Sequence, residues 1–262
     1  MLEGCVAKVE RAKELIDNLD NEISSILSSG KYQVFSGHEF DKKRYVFRLQ
    51  GPNFPLRLSV LTGEIIHHLR STFDHLVWAA ASKEGLSSTK LKRITFPVCA
   101  TPEKFQEAIK NGLLSGTSQE LRNFVESLQP YQSGDDARNS IVQILHDLDV
   151  IEKHRLLVLV THAVRMGRTL TFTGELTSDV EIIVASSHTD STPFFRAIEN
   201  DEEVHWVEYQ TTTKPLWNIV NDFSIQVAFP EIGTSERVEV IPILRQMYAL
   251  VEEIFMKVKL EK

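Results

Sequence analysis

The spacing of the apolar residues alternates along this chain between a helical period and a strand period. Over Leu2–Leu27 the apolar side chains recur at threes and fours or their sums, beginning with Val6 and Val9, which predicts an amphipathic helix. Over residues 31–50 they recur at every second position, which predicts a β-hairpin that turns within residues 37–43. A chain that switches period in this way folds with helices and strands in separate segments.

The remaining segments repeat this switch. Helical spacing predicts four further long elements and one short one, over Thr62–Ser82, Pro102–Gly112, Gln119–Gln129, Ala137–Val158 and Ile241–Lys259. Thr62 and Thr101 are the expected N-caps of the first two, because a threonine hydroxyl bonds free amides at a helix start. After Arg168 the alternating runs TLTFTGEL, VEIIVAS, EVHWVEYQ and FSIQVAF predict three or four antiparallel strands.

These elements define an α+β fold, with a helical bundle, an early β-hairpin and a late antiparallel sheet inserted into it. We expect one domain over residues 1–262. Its helical core is expected to comprise residues 1–30, 61–160 and 240–262, and its β elements residues 31–60 and 168–230.

Composition limits the function classes. The 262 residues carry a formal net charge of −7, which argues against indiscriminate nucleic-acid binding because such binding needs a basic face. A local basic cleft on an acidic body stays compatible with RNA. We find neither a signal peptide nor an apolar run long enough to cross a membrane, and the two cysteines lie outside any paired motif. We therefore expect a cytoplasmic protein without a cofactor motif.

Titratable side chains are concentrated in the predicted helix over 62–82. Within the nine positions 67–75 lie five such residues: His67, His68, Arg70, Asp74 and His75. Burying such groups costs desolvation free energy unless they are paired or used. The helical wheel places the first histidine, the arginine and the aspartate on one side. It places His68 and His75, seven residues apart, on another side.

A second cluster lies in HDLDVIEKHR, residues 146–155. The wheel places Glu152 and Arg155 on the apolar stripe of that helix, where charges need partners. If the two helices pack together, we expect Lys153 or Arg155 to meet Asp74, and His154 to approach the first cluster.

The spacing Arg70-x4-His75 resembles the R-x(4–6)-H motif of HEPN-type ribonucleases. The resemblance implies an all-helical, usually dimeric and metal-independent ribonuclease, in some cases a toxin or defence protein. It implies that Arg70 holds the scissile phosphate and His75 assists proton transfer. Asp74 would then orient a catalytic group.

A longer set of motifs resembles a group of uncharacterised bacterial proteins. The motifs are LRSTFDHLVWAA, FPV, LQPY and EKHR, where this chain has His68 in place of an asparagine and Glu152 in place of an aspartate. The resemblance implies one site that contains seven side chains: His67, Arg70, Asp74, His75, Lys153, His154 and Arg155. In the ribonuclease hypothesis His67 and the last three contact the substrate.

Two alternatives stay open. In the first, the two clusters form a structural polar network in a non-catalytic interaction or ligand-binding protein. In the second, the histidines and carboxylates serve a metal-dependent hydrolase, although HExxH is absent and His68 and His75 are too far apart along a helix for one ion.

Overall fold

The computed structural model describes residues 2–52, 54–154, 161–166, 170–185, 203–229 and 238–260, with the backbone alone for 154, 161–166, 184–185 and 259–260. The helices within this part of the chain are α1 (Glu3–Ser28), α2 (Leu56–Ala81), α3 (Ser88–Leu91), α4 (Pro102–Lys110), α5 (Gln119–Ser127), α6 (Ile141–His154) and α7 (Val240–Leu260). Short 3₁₀ segments lie at Phe40–Lys42, Ser82–Glu84 and Pro130–Asn139.

The strands are β1 (Gln33–Glu39), β2 (Arg44–Gln50), β3 (Thr161–Met166), β4 (Thr171–Glu175), β5 (Glu181–Ala185), β6 (Glu203–Gln210), β7 (Leu216–Val220) and β8 (Phe223–Ala228). Four of them form an antiparallel sheet in the order β1-β2-β6-β5, while β3 pairs with β8 and β4 pairs with β7. Helices and strands thus coexist as expected, and the α+β class is confirmed.

The chain divides into two compact units. The described parts of the helical unit are residues 2–21, 56–154 and 238–260, and those of the β unit are residues 22–52, 54–55, 161–166, 170–185 and 203–229. The border expected at residues 30–31 falls at residues 21–22, within α1, and the border expected at residues 60–61 falls at residues 55–56. The single-domain assignment and the HEPN type of the bundle stay predictions.

The core of the helical unit lies where α2, α6 and α7 pack against one another. On α2 the expected apolar stripe is buried, and Leu69, Phe73 and Leu76 have no exposed surface. Each such side chain contributes about 1.5–3 kcal/mol of burial free energy. This rigid stripe fixes the rotation of α2 and therefore the direction in which its polar residues project.

The core of the β unit is aromatic. Tyr45 and Phe47 of β2 and Tyr209 of β6 are buried together with Trp217 of β7. His38 of β1 packs edge-on against the Trp217 ring, with a centroid separation of 4.7 Å. Its ring nitrogens are bonded to the Tyr209 hydroxyl and to the Trp217 carbonyl, so this histidine is a satisfied part of the core.

The first helix boundary to differ from expectation is the start of α2. The prediction of Thr62 as its N-cap is wrong, because the helix begins at Leu56, directly after Pro55. Thr62 is buried and donates its hydroxyl to the Leu58 carbonyl at 2.7 Å. The sequence pattern does not reveal the helical turns of α2 before Thr62, because Leu56 and Val60 are exposed apolar residues that break the amphipathic pattern.

The second boundary concerns α6, which is expected from Ala137 but begins at Ile141. Ser140 has extended backbone angles and its hydroxyl accepts the Gln143 amide, so it caps the helix. The expected end at Val158 lies outside the described residues.

Two strands are absent from the sequence prediction. Strand β7 has buried Trp217 and Ile219 on one face and exposed Leu216 and Val220 on the other, so no alternation of polarity marks it. Strand β3 follows the apolar run LLVLV, which reads equally well as the end of a helix. Within the described part of the chain, none of the helices is long and apolar enough to span a bilayer.

Candidate functional site

Helices α2 and α6 lie side by side with opposite directions. Near the start of α2 the Glu152 carboxyl lies against the backbone of Gly63, where an added Cβ would come within 2.5 Å of the carboxyl carbon. One turn later His67 lies beside Asp149. As the residue number increases along α2, the residue that it contacts on α6 has a lower number, so the two helices are antiparallel. This arrangement brings the two sequence clusters together, as the packing hypothesis requires.

Arg70 and Asp74 form a clamp on the segment that follows α2, in which the arginine is buried and the aspartate is half-buried. The Arg70 guanidinium, whose side chain is only 9% exposed, donates to Asp74 Oδ1 at 2.9 Å and to the Phe96 carbonyl at 3.1 Å. Asp74 Oδ1 also accepts the Thr95 hydroxyl at 2.7 Å and the Phe96 amide at 2.9 Å. The pair thereby holds residues 95–96 against the helix.

Gln129 continues this support of the FPV motif. Its side chain accepts the Cys99 amide at 2.9 Å and donates to the Pro97 carbonyl at 3.0 Å. The residue is buried, so both bonds are shielded from water. Gln129 of the LQPY motif therefore connects to Pro97 of the FPV motif through its side-chain amide.

His67 and Asp149 form the second grouping. His67 Nδ1 lies 3.6 Å from Asp149 Oδ1, and the imidazole is 50% exposed while the carboxylate is 5% exposed. Lys153 donates to the other oxygen of Asp149 at 2.7 Å. Within the described residues Asp149 Oδ1 is buried and accepts no hydrogen bond. A buried carboxylate next to an accessible imidazole is an arrangement suited to orienting a proton-transfer group.

The other polar side of α2 faces α1. Lys8 of α1 donates to the Ser71 hydroxyl at 2.9 Å. His68 is half-buried and its Nδ1 has no hydrogen-bond partner among the described residues, while the side chain of His75 is exposed. Burial is the largest cause that lowers the pKa of both histidines, and the positive charge of Lys8 lowers it further.

His146 of α6 is a third perturbed histidine. Burial lowers its pKa, and the charge of Arg70 adds to this effect, whereas Asp147, Asp149 and Asp74 oppose it. Its Nδ1 is buried without a partner among the described residues. A neutral His146 therefore sits at the α2–α6 interface at neutral pH.

The structure does not bring the seven expected site residues into one cluster. His67 and Lys153 lie beside Asp149, whereas Arg70 and Asp74 bind residues 95–96. Lys153 bonds Asp149 and does not reach Asp74, whose Oδ1 is occupied by Arg70, Thr95 and Phe96. Of His154 only the backbone is described, and Arg155 lies outside the described residues.

Two neighbours were absent from the expected site. Asp149 lies one turn after the buried Leu145 and next to the buried Leu148, and this acidic residue beside the apolar stripe is the signal that could have found it. Lys8 carries no such signal, because it is one of several charges on the polar face of α1.

No group of three histidine, cysteine or acidic side chains within the described residues is placed to hold a metal ion. In the comparisons with known proteins, no protein-family model, no curated protein and no solved structure matches the chain.

Proposed function

We propose that this protein is a metal-independent endoribonuclease and that its acid–base group is His67. The observation that supports the proposal most is the exposed imidazole beside a buried carboxylate, with 3.6 Å between His67 Nδ1 and Asp149 Oδ1. Asp149 fixes the orientation of the ring, and the Nε2 atom is left to act on a substrate. A separation slightly longer than a hydrogen bond is common in catalytic pairs before substrate binds.

RNA is the proposed substrate because its own ribose 2′-hydroxyl serves as the nucleophile. A base takes the proton of a ribose 2′-hydroxyl, the oxygen attacks the adjacent phosphorus, and an acid returns a proton to the departing 5′-oxygen. The products are a 2′,3′-cyclic phosphate and a 5′-hydroxyl. The Nε2 atom of His67 takes the 2′-hydroxyl proton as the base and then returns it to the departing 5′-oxygen as the acid. His75 lies on the α1 side of α2 and contacts the RNA from there.

Cations of the same face would hold the phosphate. Lys153 is half-exposed and lies next to Asp149. Arg70 acts in this proposal as a positioning residue rather than as a phosphate ligand, because its guanidinium is buried between Asp74 and Phe96. Asp74 positions the FPV segment in the same way. His154 and Arg155 keep their expected role as phosphate contacts.

The HEPN resemblance adds two parts to the proposal, a bundle of HEPN type and a homodimer. Light scattering coupled to size-exclusion chromatography measures the dimer directly. A toxin or defence role predicts that expression slows bacterial growth and that His67→Gln relieves the effect.

Cleavage of RNA in the presence of EDTA tests the central claim. We expect wild-type protein to cut an RNA oligonucleotide, to leave 2′,3′-cyclic ends and to spare the DNA of the same sequence. His67→Gln should lower the rate about 100-fold. The matched control is Glu64→Gln, an exposed position on the same helix, prepared in parallel to reveal contaminating nuclease. Equal cleavage by His67→Gln and wild type would refute the proposal.

The clamp around Arg70 favours a second candidate, a non-catalytic binding protein whose polar clusters fix its helices. Three donors converge on Asp74 Oδ1, and such saturation is typical of a structural network. This candidate predicts no cleavage by any preparation and a lower melting temperature for Asp74→Asn. A differential scanning fluorimetry series on the variants measures it.

A further inference from the structure

The face of α2 that meets α1 carries a cluster with an unbalanced positive charge. Lys8 reaches from α1 and donates to Ser71 Oγ at 2.9 Å. His68 precedes Ser71 by three residues and His75 follows it by four, so helical geometry places all three on one stripe of α2. The Ser71 hydroxyl also donates to the His68 carbonyl at 3.2 Å, so the free donors around this row belong to Lys8 and the two imidazoles.

Lys8 as a whole residue is half-buried, and the residues that the structure describes give its ammonium group no carboxylate partner. A partly desolvated cation without a counter-charge is costly, and an anion would relieve that cost. The unpartnered, buried Nδ1 of His68 is a second polar atom of this cluster that the described chain leaves unsatisfied.

Carboxylates oppose the charge of Lys8 only in part, because Glu64 is exposed to solvent and Asp74 is paired with Arg70. The groups that act electrostatically on the two histidines come from both helices: Lys8, Arg11, Glu64, His67 and Asp74. The last of these already accepts three hydrogen bonds at one oxygen, including that of Arg70. For both histidines the positive charge of Lys8 is the largest influence after burial.

We propose that Lys8, Ser71, His68 and His75 form a binding site for a phosphate oxyanion between α1 and α2. A tetrahedral phosphate offers several acceptor oxygens, and the lysine and the neutral imidazoles offer donors for them, while the Ser71 hydroxyl holds the lysine in place. In the endoribonuclease this site holds a phosphate of the RNA next to His75, and that part of the inference rests on the proposed function.

Binding is measured separately from cleavage with two probes. Inorganic phosphate represents the free anion, and a 2′-O-methyl RNA oligonucleotide represents the nucleic acid but lacks the nucleophile for cleavage. We expect the ring signals of His68 and His75 in NMR spectra to move on addition of phosphate, while those of His38 in the β unit stay in place. Lys8→Met should weaken binding of both probes by at least about tenfold.

Two variants separate a specific site from bulk charge. Lys13→Met removes an exposed lysine from the same helix and should change binding less than about twofold. Lys8→Arg keeps the positive charge and should bind within about threefold of wild type. Equal losses for Lys8→Met and Lys13→Met, or histidine signals of the wild type that do not move, would overturn the site.

The outcomes also distinguish this inference from the proposed function. If phosphate binds through Lys8 but no RNA is cut, the anion site stands and the nuclease proposal fails. If RNA is cut through His67 while Lys8→Met binds both probes normally, the nuclease proposal stands and the anion site fails. Binding of phosphate but not of the oligonucleotide would assign the site to a small anion.

Discussion

Two groups of polar side chains on helix α2 differ in how far their hydrogen bonds are formed. In the clamp group the Arg70 guanidinium is buried against Asp74 and Phe96, and Asp74 Oδ1 accepts three hydrogen bonds. In the histidine group His67 is half-exposed, His75 is exposed, and His68 and its neighbour Asp149 of α6 each keep an unpartnered atom among the described residues. Saturated polar groups hold a structure together, whereas accessible unsaturated groups are available for chemistry.

Removing the arginine should give the largest effect on folding. We expect Arg70→Ala to lower the free energy of unfolding by about 3 kcal/mol, because it releases the Phe96 carbonyl and leaves Asp74 without its cation. Urea denaturation measures the loss. Arg11→Ala, on the exposed face of α1, is the control and should stay within about 0.5 kcal/mol of wild type. A loss below about 1 kcal/mol would show that the clamp is not structural.

Removing His67 should give the reverse pattern. We expect His67→Gln to lower RNA cleavage about 100-fold while its free energy of unfolding changes by less than about 0.5 kcal/mol. The small effect on folding follows from the exposure of the ring and its lack of a short hydrogen bond. If this variant were destabilised as strongly as Arg70→Ala, His67 would have a structural role like that of the clamp, and the proposed difference between the two groups would be contradicted.

A smaller effect concerns pH. Burial lowers the pKa of His146 in the folded protein, so the unfolded chain binds more protons just below the ordinary histidine pKa. Stability therefore falls as the pH drops from 7 to 5. We expect the fall to be shallower in His146→Gln, as followed by urea denaturation at several pH values. Parallel curves for the two proteins would contradict the assignment.

The smallest effect is expected at Gly63, where α2 approaches α6. Alanine favours a helix by about 1 kcal/mol over glycine, but in Gly63→Ala the new Cβ must displace the Glu152 carboxyl. We expect a gain below about 0.5 kcal/mol in the wild-type background. In a Glu152→Ala background the same change should recover most of the helix-propensity gain. Thermal unfolding of the four proteins measures this, and identical gains in both backgrounds would exclude the steric contact.

Much of the helical framework could be predicted from the sequence, because its apolar spacing is regular. Helix α1 appears within two residues of its expected limits, and Thr101 accepts the Lys104 amide as a helix N-cap should. The hairpin strands are present, although β1 continues three residues into the predicted turn, to Glu39. The wheel also separates the Arg70 side of α2 from the side of His68 and His75. These features depend on local periodicity, which one sequence contains.

The partners of the polar residues could not be predicted in this way. A wheel shows that Asp74 and Lys153 are candidates for pairing, but it does not show that residues 95–96 reach Asp74 first. Nor does it reveal that α1 brings Lys8 to Ser71, since the two residues are 63 positions apart. Long-range contacts of this kind depend on the tertiary arrangement and not on the spacing of residues in one helix.

The three bonds at Asp74 Oδ1 have a consequence for changes in chain length. They tie α2 to residues 95–96 and so close a loop through the surface segment that contains Gly85 and Ser87. The entropy of closing such a loop grows slowly, by about 0.6 kcal/mol for each doubling of its length. Insertions between Gly85 and Ser87 should therefore be tolerated. An insertion of one residue between Thr95 and Phe96 should not, because it separates two donors that share a single oxygen.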